Sequence, residues 1–149
     1  MKNYLAYTLA SLLFITIGCK PEAKPIEYGH QACDYCRMSI VDERYAAQLV
    51  SPKGKTYSFD AMECMIHYKN EQKSETWAME LITDYNTPRK LIPAANASIV
   101  RSKQLPSPMG MYLTAVQDKN QAQSLVDKNG GEIYTYPQLA DGLENLPKL

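Results

Sequence analysis

From Tyr45 to Thr135 the chain spells one order of elements twice, and that order limits the fold more than any single residue does. Tyr45-Ala46-Ala47-Gln48-Leu49-Val50 has the apolar and aromatic content of a strand, and Pro52-Lys53-Gly54-Lys55 is built for a turn. Thr56-Tyr57-Ser58-Phe59 then reads as the hairpin partner. Asp60, with Glu63 three residues on, predicts a capping box that opens a helix of about ten residues. Residues from Trp77 to Tyr85 are apolar enough for a third strand. The order then recurs. Strands are expected at 97–100 and 111–116, on either side of the Pro-rich loop Leu105-Pro106-Ser107-Pro108-Met109-Gly110. A helix over 120–128 is stopped by Asn129-Gly130-Gly131, and a strand over 132–135 and a short helix from Pro137 to Leu143 follow. The expected fold is α+β, two ββαβ-like units with mainly antiparallel sheet.

Residues 1–18 have the form of an export signal: Lys2, an apolar run Leu12-Leu13-Phe14-Ile15-Thr16-Ile17, and Gly18 at the cut. The run is too short to span a bilayer. Cys19 immediately after Gly18 makes the segment look like a bacterial lipoprotein signal, in which that cysteine becomes the lipidated N-terminus. Lys20-Pro21-Glu22-Ala23-Lys24-Pro25 offers Pro and charge but little to bury, so 19–30 is expected to be a tether. Residues 31–149 are left as one domain with a genuine core. Lys+Arg and Asp+Glu are balanced at 16 each, and no basic block gives a reason to propose nucleic acid as partner.

Of four cysteines, lipidation of Cys19 leaves Cys33, Cys36 and Cys64. An odd number cannot complete a disulfide framework, so at least one thiol stays free in an exported protein. Cys33-Asp34-Tyr35-Cys36-Arg37-Met38 packs two thiols and a thioether into six residues, soft donors of the kind that hold Cu(I). If Cys36-Arg37-Met38 is extended, Cys36 and Met38 point to one face and one segment supplies two ligands. The Cys-x-x-Cys spacing alone is also shared by redox pairs, zinc knuckles and disulfides. Haem attachment is disfavoured, since Arg37 stands where that motif needs His. Met62, Met65 and Met79 read as core filler, whereas Met109, between Pro108 and Gly110, is a thioether presented on a constrained loop.

Cys64, at the capping-box position, reads as a small buried hydrophobe before it reads as a ligand, and it shares a helix face with His67. His67 reads as a solvated surface residue, and His30 as a supplementary ligand whose place the Gly29 hinge leaves open. A closed zinc site requires Cys33, Cys36, Cys64 and one His to converge. No Ser/His/Asp set, phosphate-cradling Gly loop or pair of positioned acids suggests an enzyme. A thiol–disulfide oxidoreductase using Cys33 and Cys36 is the alternative.

The motifs Cys33-x-x-Cys36-x-Met38-x-Ile40, Ala46-Ala47-Gln48, Phe59-Asp60 with Cys64-Met65, Pro108-Met109-Gly110 and Gly130-Gly131 resemble those of the NosL family, copper lipoproteins that accompany nitrous oxide reductase. Arg37 stands where that family usually has Gly, and Gly110 is followed by Met111 instead of a further Gly. The resemblance implies a periplasm-facing, membrane-anchored Cu(I) chaperone that delivers copper for the metal centre of nitrous oxide reductase through the membrane complex NosDFY. It implies Cys36 and Met38 as the first ligands, Met109 as the next and Cys33 in support, on a domain of two ββαβ units.

Overall fold

The computed structural model describes residues 20–149; the expected leader and the lipidation expected at Cys19 lie outside the described residues. Strand β1 (Ala47–Val50) lies between β2 (Thr56–Phe59) and β3 (Met79–Thr83) and is antiparallel to both. Helix α1 (Met62–Glu71) therefore crosses over from β2 to a parallel β3. A fourth strand, β4 (Leu91–Pro93), pairs with the far end of β3. In the second unit β5 (Ser98–Arg101) lies between β6 (Leu113–Val116) and β7 (Glu132–Thr135), again antiparallel to both. Helix α2 (Lys119–Asn129) makes the crossover, and the short helix α3 (Tyr136–Ala140) follows β7 directly. Central strand first, hairpin second, crossover third is thus the topology of both units, as the expected α+β fold requires.

The two units are not separate domains. One buried apolar cluster contains Leu49, Phe59, Met65, Ile66 and Ile82 of the first unit with Ile99, Leu113, Tyr136 and Leu139 of the second. A smaller cluster of Val100, Leu105, Val116 and Ala122 lies beneath α2. The chain ahead of β1 is attached as well: the side-chain amide of Gln48 accepts from Lys24 N–H at 2.9 Å and donates to Lys24 C=O at 3.0 Å. Ile26 and Tyr28 pack against the main core.

Several expected boundaries shift for identifiable reasons. Trp77 precedes β3 and packs edge-on against Tyr57 instead of pairing. Strand β6 starts at Leu113 because Tyr112 has a φ of 64°, outside the extended region. The β4 segment is three residues with Pro93 at its end, too short and too irregular to carry a periodic signal. The capping box expected at Asp60 does not form: Ala61 is the N-cap and makes no side-chain bond, and Glu63 turns inward to Ser107. Asp118, by contrast, caps α2, accepting from the amides of Asn120 and Gln121 at 2.9 and 3.0 Å.

Gly130 and Gly131, adjacent in sequence, serve different ends. Gly130 ends α2 at φ 67° with open space where a Cβ would project, its N–H bonded to Val126 C=O at 2.7 Å. At Gly131, φ is 107° and a Cβ would overlap the Arg101 carbonyl of β5 and lie 2.9 Å from Ser102 Cβ. Gly130→Ala is expected to cost about 1 kcal/mol, whereas Gly131→Ala, strained and clashing with backbone, is expected to cost about 3 kcal/mol or more. Denaturant unfolding of the two variants checks the order.

Candidate metal centre

The first two thiols sit in a closed loop ahead of β1. Ala32 and Ser39 form an antiparallel bridge, Cys33 N–H bonds Met38 C=O at 2.8 Å, and Ile40 N–H bonds Gln31 C=O at 2.9 Å. At the tip, Arg37 N–H returns to Cys33 C=O at 3.1 Å, which drives Arg37 to a φ of 67°. Cys36-Arg37-Met38 is therefore not extended, and the expectation that Cys36 and Met38 share a strand face fails. The left-handed residue is the one standing where the resembled family usually has Gly, the residue that adopts such a φ freely. The loop is fastened to the outer edge of β2, with Asp34 N–H on Ser58 C=O at 2.9 Å and Ser58 N–H on Asp34 Oδ2 at 2.7 Å.

Cys64 approaches from the other side, in the first turn of α1. The Sγ atoms of Cys33, Cys36 and Cys64 all lie within 4.8 Å of one another, and all three thiols are free. Cys33 and Cys64 are buried; Cys36 is half-buried and gives the trio its opening to solvent. The Cys64 thiol and the backbone amides of Asp60, Cys36 and Tyr35 all bond Cys33, which lowers its pKa to about 5 despite burial. Holding the shared proton against Cys33, together with its own burial, pushes the Cys64 thiol far up. Burial also raises Cys36, although the Met38 amide bonds its sulfur. Oriented amides and a helix start thus stabilise one thiolate in an apolar shell.

A family model described as NosL matches residues 26–143. The chain belongs to the NosL family. The crystal structure of the copper chaperone NosL from Shewanella denitrificans is similar, with a TM-score of 0.67 and 17% identity over 78% of this chain and 94% of that one. At that identity the likeness speaks for the fold alone. No curated protein matches this NosL-family chain by sequence.

The sequence-level ligand candidates of this NosL-family chain divide. Cys33 and Cys36 converge, and Cys64, left open between packing and ligation, joins them. The signal for Cys64 was the odd number of free cysteines, whereas its place at the start of a helix had pointed to packing. Met38 is tied to Cys36 through its backbone amide, but its side chain is 55% exposed; Met109 is 37% exposed at the tip of its own turn. His67 does not join the thiols. It is half-buried instead of solvated, stacked on Tyr35 at 5.6 Å with Nδ1 4.0 Å from Glu144. His30 is exposed and likewise outside the trio.

The thiols set a pH dependence for the metal-free protein. Cys33 ionises near pH 5 in the fold and near 9 when unfolded, so between those values the unfolded chain binds the extra proton and stability rises with pH. Above 9 the sign reverses, because Cys36 and Cys64 hold their protons longer in the fold than unfolded. Ultraviolet thiolate absorbance of the reduced protein is expected to show one thiolate at pH 7 that titrates near 5 and disappears in Cys33→Ser.

Proposed function

We propose that the chain is a membrane-tethered Cu(I) carrier, not an enzyme, that accepts and surrenders the ion by ligand exchange at Cys33, Cys36 and Cys64. The observation that carries this reading is the convergence of three free thiols with no His, Asp or Glu in the group among the described residues. Three soft sulfurs suit a monovalent copper ion, whereas a closed zinc site calls for a fourth protein ligand. Thioethers from Met38 and Met109, both exposed, complete or relay the coordination without adding charge. The full burial of Cys33 argues against the oxidoreductase alternative, since a substrate disulfide needs an accessible attacking thiolate.

Exchange starts at Cys36, the one thiol of the trio open to solvent. An incoming soft donor adds to the copper there, Cys36 leaves, and the buried pair releases the ion last. As resembled proteins of the family imply, the receiving partner is the NosDFY-type complex on the way to nitrous oxide reductase. Lipid on Cys19 would raise the carrier's effective concentration beside a membrane-bound acceptor on the periplasmic side. A lipoprotein anchor with several chains would hold stably where a single chain would not.

Reduced mature protein is expected to bind one Cu(I) per chain. Cys36→Ser and Cys64→Ser should each weaken binding by more than about a hundredfold, beyond the usual loss from a supporting partner. Competition against a chromophoric Cu(I) chelator measures it. Wild-type affinity in Cys64→Ser, or preferential Zn(II) retention by anaerobically purified protein, would overturn the assignment.

A further inference from the structure

Glu63 takes no part in the copper chemistry above, yet its side chain is 1% exposed in the first turn of α1, directly before Cys64. Burying a carboxyl is unfavourable unless it gains partners, and one of its oxygens, Oε2, has none among the described residues. The other oxygen has a specific one. Glu63 Oε1 accepts from the Ser107 hydroxyl, and Ser107 Oγ in turn accepts from Tyr112 N–H at 2.9 Å. Ser107 and Tyr112 lie at the two ends of the loop that carries Met109. Inside that loop Gly110 N–H bonds Ser107 C=O at 3.0 Å, closing the β-turn Ser107-Pro108-Met109-Gly110. Proline second and glycine fourth are the residues such a turn favours, and they leave Met109 on a rigid corner.

We infer that Glu63 is a positioning residue: its buried carboxyl ties both ends of the Met109 loop to the helix turn that supplies Cys64, and so fixes the approach of the Met109 thioether to copper held by the three thiols. This rests on the reading of Met109 as a copper donor. An apolar side chain of the same size would fill the space but could not hold Ser107. The bond also crosses between the two units, since Glu63 belongs to the first and Ser107 to the second. The carboxyl thereby sets the distance between sulfurs that the chain separates by 45 residues, Cys64 to Met109.

The test compares wild type with Glu63→Gln, Glu63→Leu, Ser107→Ala and Met109→Ala, loaded with Cu(I) in the reduced state. Chelator competition gives the affinity and X-ray absorption counts sulfur neighbours. Met109→Ala, Glu63→Leu and Ser107→Ala are each expected to lose about tenfold in affinity and the same sulfur contribution, whereas Glu63→Gln, which keeps the hydrogen bond, retains both. Adding Glu63→Leu to Met109→Ala should weaken binding no further. If Met109→Ala binds less well but Glu63→Leu and Ser107→Ala match wild type, the inference is overturned and Met109 stands as a donor. If Met109→Ala itself matches wild type, the donor reading falls and the inference with it. Additive losses in the double variant would show that Glu63 acts through the fold, which also overturns it.

Discussion

The pair of hydrogen bonds between Asp34 and Ser58 holds the arrangement together. Burial of Cys33 and Ile40 in the main core holds the loop down, but burial alone does not fix its direction. With its backbone amide and its carboxylate both committed to one residue of β2, Asp34 fixes the loop at the edge from which α1 departs. The same contact covers the outer edge of β2, which would otherwise present unpaired backbone groups. Ser58 is also tied inward to Gln48 on the central strand at 3.2 Å, and Gln48 in turn holds Lys24. A continuous set of hydrogen bonds thus runs from the segment that follows the expected lipid anchor to Asp34, beside the first loop cysteine.

What that placement achieves is electrostatic. Three thiols near one another in an apolar shell cannot all ionise, and a buried thiolate needs partners. The Cys33 sulfur receives them from backbone amides of its own loop and of Asp60, just before α1, while Cys64 shares its proton. The metal-free site is therefore charged once, with its three sulfurs already within 4.8 Å of one another. A cation held by all three thiolates would displace protons from Cys36 and Cys64, which would couple uptake to pH. Cys36 is the one member of the set that is not buried, so an exchanging donor has a point of entry there. That asymmetry suits a carrier, which has to let go.

The two units share a topology but divide the work. The loop ahead of β1 and the first turn of α1 present the thiols, whereas the second unit supplies part of the common core and the turn that carries Met109. The core joins them by burial, which is insensitive to direction; the Glu63–Ser107 bond adds the direction.

By itself the sequence determined the order of elements, the antiparallel α+β class and the soft-donor chemistry. These depend on local periodicity, on turn residues such as Pro52 and Gly54, and on the kinds of side chain present. The stop at Gly130 was equally local, because a C-cap acts within a few residues of itself. Only the tertiary structure decided that Cys64 completes the thiol trio, that Glu63 faces Ser107 instead of its own helix end, and that Arg37 turns left-handed. Each of those outcomes is set by residues far along the chain or by loop closure. The free energy of a sulfur's surroundings depends on what is folded against it, and no spacing within the chain records that.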